Sequence, residues 1–266
     1  MFIKNLKLLI FILGLVCFSF FGKAEEIILK EYKNVDVLKI VDGDTIEVQI
    51  GKKIERVRLI GIQAPELFTD PPQDFSIESK EMLEKLLDNK KITLKYNPKY
   101  KKDKYKRILA DVYIVDNNLW VNGYLIEKGF AFSYILNKNP IPYVKNLIEL
   151  ENKAINNNLP FWQNQHYKVI STSEAEDFVG NYKVIDSDVI DIVNTKKTIW
   201  LQLSHKRDKG FSLRIDKNNY ENIMSQIDLK NLKGKKIRVR GFIDKYSPKY
   251  GAFIEVVSPY MIEILT

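Results

Sequence analysis

Two residue types that commonly carry hydrolytic chemistry are almost missing. The 266-residue chain has one cysteine and two histidines. Cys17 lies inside an apolar N-terminal stretch, so a chain beginning at Glu25 has no thiol, no disulfide and no thiolate ligand. His166 and His205 both lie in the second half of the sequence. A site built in the first half therefore lacks imidazole, and a carboxylate must act as its base. Long apolar runs are scarce too. Leu8 to Phe21 is apolar over 14 residues, short of the roughly 20 that span a bilayer as a helix.

That stretch follows Lys4 and Lys7 and precedes Gly22 and Ala24 at the small-residue spacing of signal-peptidase sites. Residues 1–24 are expected to be a cleaved signal peptide and the protein to be secreted or periplasmic, with no stable membrane association. The competing expectation is an uncleaved signal that anchors the chain in a membrane. Cys17 follows Val16, a poor fit to a lipoprotein signal.

Hydrophobic residues make up 45% of the chain, enough for a packed core. The formal charge is +8; without Lys4, Lys7 and Lys23 it is 39 basic against 34 acidic residues, or +5. A mild basic excess points to an anionic partner, nucleic acid or lipid surface.

Val37–Val41, Thr45–Ile50 and Glu55–Gly61 read as strands joined by the turns Asp42-Gly43-Asp44 and Gly51-Lys52-Lys53, the start of a small barrel. Ser76 is placed as the N-cap of a helix carrying Met82, Leu83, Leu86 and Leu87. Strands follow at Lys91–Tyr96 and Arg107–Val115, then helices at Val121–Gly129 and Tyr143–Asn156. In the last helix Leu147, Ile148, Glu151 and Ala154 share one register. Residues 163–177 read as a linker. Beyond it, strands are expected at Gly180–Ile185, Thr198–Leu203, Phe211–Ile215, Lys236–Ile243, Phe253–Val257 and Met261–Leu265, with a helix over Tyr220–Ile227. The expected division is 25–162 and 178–266.

Three segments carry candidate chemistry: Asp42-Gly43-Asp44-Thr45, Arg58 to Glu66, and Lys104 to Ala110. Asp44 offers a hard oxygen at a turn. Glu66 is the best-placed carboxylate base. Arg58 and Arg107 can fork onto phosphate oxygens. Carboxylate and carbonyl donors without thiol or imidazole suit calcium or magnesium rather than zinc.

Together, Asp42 to Thr45, Arg58-Leu59, Pro65-Glu66, and Tyr105 with Arg107, Leu109 and Ala110 resemble the staphylococcal nuclease family. Asn122 to Ala131 and Leu159 to Trp162 extend the resemblance, which covers about residues 35 to 162. It implies a mainly β fold with helices, an OB-type five-stranded barrel. It implies Ca2+ held by Asp44, Gln63 and the backbone carbonyl of Ala64. Glu66 is implied to activate water, Arg58 and Arg107 to bind the scissile phosphate, and Tyr105 to contact the nucleotide. The implied reaction breaks P–O5′ in DNA or RNA and leaves a 3′-phosphate.

Gln63 departs from the aspartate usual in that family, removing a charge. Ala64 replaces a frequent threonine, and Lys106 sits where glycine is common. Gln63 favours the alternative expectation, a catalytically impaired nucleic-acid-binding protein.

Seven basic residues crowd positions 95 to 107 around Tyr96, Tyr100 and Tyr105, with Asp103 the only acid. Lys104 and Tyr105 are candidate substrate contacts through phosphate neutralisation and base stacking. The segments 210–215 and 232–241 resemble OB-fold modules, so a second small OB-like barrel is expected. There Arg238 and Arg240 share a strand face, which could hold substrate backbone, with Phe211 or Tyr246 stacking on it, or could serve docking and stability. No protein partner is predicted.

Overall fold

The computed structural model describes residues 28–135, 141–205, 210–219, 223, 227–247 and 251–265. The expected signal peptide lies outside the described residues, as does the expected helix at Tyr220–Ile227 apart from Ile223 and Ile227. Among the described residues no helix is long and apolar enough to cross a membrane.

Alternating apolar residues build the first sheet. β1 (Lys30–Asp42), β2 (Thr45–Ile50), β3 (Lys53–Leu59), the short β4 (Ile62–Gln63), α1 (Ser76–Leu87), β5 (Lys91–Tyr96), β6 (Ile108–Ile114), α2 (Val121–Glu127), the short β7 (Phe132–Ser133), α3 (Val144–Asn156) and α4 (Pro160–Gln163) follow in order. β1, β2, β3, β6 and β5 close into a five-stranded barrel, as the resemblance implied. Register shifts between Val37 and Lys39 and between Ile40 and Asp42 bend β1, which lets one long strand border both β2 and β5. Ile46, Val48, Val57, Leu59, Ile92, Leu94 and Val112 fill the interior, each fully buried.

Helix α1 begins differently from the sequence expectation. Its N-cap is Phe75 in a left-handed conformation, φ 65°, with no side-chain cap. Ser76 is inside the helix and buried. The Phe75 ring sets this entry: it packs edge-on against Phe161 at 5.6 Å and Tyr167 at 6.5 Å. Ser79 is the next buried position of α1. Its hydroxyl donates to Phe130 O at 2.7 Å, tying α1 to the end of α2.

The C-terminal strands are β8 (Tyr182–Asp188), β9 (Asp191–Asn194), β10 (Thr198–Gln202), β11 (Phe211–Asp216), β12 (Lys236–Ser247), β13 (Gly251–Glu255) and β14 (Ile262–Ile264). They form a seven-stranded sheet in the order β14-β12-β13-β11-β10-β9, with β8 also on β12. Strand pairing does not close this sheet among the described residues, so in place of the expected second barrel they form a β-sheet unit. β9 was not expected; it is four residues long and largely solvent-facing. The stretch expected as a linker is packed: Ile170, 2% exposed, bridges Ile185, and Ala175 is buried.

Helix α3 lies between the two units. Leu147 enters the barrel core, while Val144 and Ile148 enter the core of the C-terminal sheet. Between them Glu151 is fully buried. Its Oε1 accepts from Ser133 N at 2.7 Å and Ser133 Oγ at 2.8 Å, and its Oε2 accepts from Arg240 Nε at 3.0 Å. Arg240, also fully buried, reaches Glu263 at 3.3 Å. Arg238 grips Asp186 through two hydrogen bonds of 2.7 and 2.8 Å and donates to Asn152 at 2.9 Å. The two arginines do share a face, but it is spent on α3 and β8. Phe211 is buried at 1% exposure and cannot stack on a ligand; the side chain of Tyr246 lies outside the described residues.

Breaking the Glu151–Arg240 pair leaves an uncompensated buried charge, which costs about 3–5 kcal/mol. Arg240→Leu is expected to destabilise the protein by that order in urea denaturation, and more than Arg214→Leu, whose partly exposed partner is Glu255. Asp111 on β6 sets a pH dependence. It is 1% exposed, accepts from Trp120 Nε1 at 2.9 Å, and its Oδ2 has no partner. Burial pushes its carboxyl up to about 7 from 3.8, with Trp120 and Lys95 opposing. The folded value exceeds the unfolded one, so its contribution is fully present below the unfolded value and is lost as pH rises through 7. Asp111→Asn should flatten stability against pH across that window by on the order of a few kcal/mol, read from melting temperatures at pH 4 and 8.

Candidate active site

The Asp42–Thr45 turn joins β1 to β2. Asp44 N donates to Asp42 Oδ1 at 3.0 Å, closing the turn. Gly43 is required by crowding: a Cβ there would sit 2.6 Å from Ala64 Cβ and 2.7 Å from the Ser79 Cβ. That close approach carries Asp44 to the segment after β4. Its Oδ2 accepts from Ala64 N at 2.8 Å and from Arg58 at 2.9 Å, and its Oδ1 accepts from Thr45 Oγ1 at 3.0 Å. Burial pushes the Asp44 carboxyl up to about 7, Asp42 adds to the rise, and Arg58 opposes it.

Arg58 stands on β3, in register with Thr45 on β2 and Leu109 on β6. It is 8% exposed. Nη1 donates to Leu59 O at 2.6 Å, and Nη2 also donates to Gln63 Oε1 at 2.7 Å. Gln63 then passes the connection on: Nε2 donates to Ala64 O at 2.9 Å and to Glu66 Oε1 at 2.8 Å. Glu66 is solvent-exposed, and its backbone is held by Gln73, whose Oε1 accepts from Glu66 N at 2.8 Å. Arg107 immediately precedes β6. Asp103 accepts from Arg107 Nε at 2.8 Å and from Arg107 N at 2.9 Å. The guanidinium lies 5.4 Å from the centre of the Tyr105 ring, and Lys104 Nζ lies 4.9 Å from it. Lys106 adopts φ 67°, a left-handed conformation in which glycine carries no penalty.

Asp44, Arg58, Gln63, Glu66, Lys104, Tyr105 and Arg107 line one cleft of about 470 Å³. Glu66, Arg58 and Arg107 therefore face a common space. Ala64 is buried behind it and offers only its backbone. Tyr134 also lines the cleft, and its N donates to Gly61 O at 2.9 Å. Tyr134 carries no signal in the sequence, because the β4–β7 pairing that delivers it is two residues long. The orienting role of Asp103 is visible there only as the i, i+4 spacing to Arg107. His166 and His205 are exposed and lie outside the cleft lining.

The donors are all oxygen, which suits a hard cation. No cluster of three or more acidic, histidine or cysteine side chains occurs among the described residues. Asp44, the Ala64 carbonyl and Gln63 thus fit calcium in donor chemistry while supplying little charge. At present Gln63 directs its amide nitrogen, not its oxygen, toward the Ala64 carbonyl. Its oxygen faces Arg58. Gln63→Asp removes the donor and adds a charge, worth roughly 1–4 kcal/mol near a divalent ion. Calcium affinity by isothermal titration is expected to rise on the order of tenfold; an unchanged affinity would place the cation elsewhere.

Residues 56–164 match the model described as "Staphylococcal nuclease homologue", so the chain contains a staphylococcal nuclease-like domain. An Escherichia coli protein called "Uncharacterized endonuclease" is 38% identical over 98 residues, 37% of this chain and 59% of its own. A Bacillus anthracis protein called "Uncharacterized protein pXO1-141/BXA0211/GBAA_pXO1_0211" is 32% identical over 141 residues, 49% of this chain and 65% of its own. "Thermonuclease" of Staphylococcus hyicus is 34% identical over 97 residues, 36% of this chain and 56% of its own. The chain thus spans less than two thirds of the length of these relatives. Asp42 to Thr45 precede the family match; it is the barrel that brings them to the matched residues.

Proposed function

We propose that the staphylococcal nuclease-like domain is a phosphodiesterase that hydrolyses DNA or RNA with calcium. The observation that carries this reading is the line Arg58–Gln63–Glu66, with Arg107 facing the same cleft. The two guanidinium groups hold the non-bridging phosphate oxygens and balance the charge that grows on them in the transition state. Glu66, the exposed carboxylate, takes the proton of the attacking water. The new P–O bond forms to water, P–O5′ breaks, and the 5′ oxygen leaves and is protonated, leaving a 3′-phosphate. When bound through Asp44, Gln63 Oε1 and the Ala64 carbonyl, calcium supplies Lewis-acid stabilisation of the phosphate oxygens. Lys104 and Tyr105 contact the nucleotide. The N-terminal stretch of residues 1–24 supports export as the setting for this activity.

Glu66→Gln is expected to lower cleavage of a labelled oligonucleotide about 10²–10⁴-fold while leaving its binding, followed by fluorescence anisotropy, within a factor of about three. A second reading, a nucleic-acid-binding protein without cleavage, is favoured by the Gln63 amide, which ties up both Glu66 and the Ala64 carbonyl. Binding of the wild type with no calcium-stimulated cleavage would select that reading.

A further inference from the structure

The face of β12 that carries Arg238 and Arg240 has a third member. Side chains alternate along a strand, so residue 242 follows them on the same side. Arg238 and Arg240 are buried against α3 and β8. Phe242 is not: it is 43% exposed, although its chain neighbours Gly241 and Ile243 are buried. It stands opposite Tyr182 on β8, with ring centroids 5.4 Å apart. It also meets Tyr134 edge-on, at 5.9 Å and 83°. Tyr134 lines the cleft that holds Arg58 and Glu66. A solvent-facing ring of the C-terminal unit thus adjoins the wall of the nuclease-like cleft, one ring away from it.

A single exposed aromatic residue is ordinary on a protein surface. This one is fixed by two ring contacts and stands beside a site whose ligand carries aromatic bases. We propose that Phe242 is a stacking platform for an unpaired base of the nucleic-acid strand whose phosphate occupies the cleft. The C-terminal sheet thereby contributes a subsite that favours single-stranded substrate. This rests on the reading of the cleft as a phosphodiester site. In duplex DNA the base faces are covered by their neighbours, so the platform acts only on unpaired strands. Its specificity is for a π face and not for a sequence.

The test uses the full chain and compares Phe242→Leu, which keeps an apolar group without a ring, with Phe242→Trp, which keeps the ring. Steady-state cleavage of a single-stranded oligothymidylate and of a duplex of equal length is measured for both variants and the wild type. Phe242→Leu should raise KM for the single strand on the order of tenfold. It should leave kcat and the duplex KM unchanged. Phe242→Trp should restore the single-strand KM, and its indole fluorescence should be quenched by the oligothymidylate. Equal effects of Phe242→Leu on both substrates, or no effect on either, overturn the platform while the wild type still cleaves. A wild type that neither binds nor cleaves either substrate defeats the nuclease reading itself, and the platform with it.

Discussion

The N-terminal site depends on one buried guanidinium. Arg58 is held by Leu59 O, Asp44 and Gln63 inside a barrel wall where an unpaired charge could not persist. The register of β2 on β3 puts it opposite Thr45, and the turn before Thr45 supplies Asp44. Burial raises the Asp44 carboxyl, and Arg58 is what keeps its ionised form within reach. Asp44 in turn accepts the Ala64 N–H, which fixes the start of the loop carrying Glu66. The order Asp-Gly-Asp, Arg, Glu along the sequence is thus the order of a hydrogen-bonded chain in space.

The C-terminal unit shows how charge counts mislead. Its basic strand left substrate binding and docking or stability equally open; the carboxylate partners of Arg238 and Arg240, drawn from β8, α3 and β14, give it the second use. Glu151 makes the connection economical. One of its oxygens satisfies Ser133 on β7, next to the Ile62 pairing that fixes β4, and the other satisfies Arg240. The sheet therefore braces the strand pair from which Gln63 and Tyr134 emerge.

Local physics made much of this legible. Strand alternation gave β2, β5 and β11 almost to the residue, and the spacing of Leu147, Ile148, Glu151 and Ala154 gave the buried face of α3. The Asp42–Thr45 turn and the arginine–glutamate spacing marked the cleft. What escaped depends on partners far away in sequence. Phe75 starts α1 because Phe161 and Tyr167 cover its ring, and no pattern near Ser76 announces that. The use of Arg238 and Arg240 stayed open in the sequence because their acids lie about 50 and 90 positions earlier. Tyr134 reaches the cleft through a two-residue pairing too short to leave a periodic trace.

The most consequential departure from the family pattern is the amide at position 63. A carboxylate there would repel Glu66 and demand a cation between them. An amide has both polarities, so it accepts from Arg58 and donates to Glu66 and to the Ala64 carbonyl without any ion. The site is consequently organised by its own hydrogen bonds, with which any cation offered the Gln63 oxygen would have to compete. Turning the amide to offer its oxygen would set its nitrogen against the Arg58 guanidinium, donor against donor. Offering the Gln63 oxygen to a cation would therefore require Arg58 to shift from its present hydrogen bond. An aspartate at this position, as in the family pattern, carries no donor and would meet no such conflict.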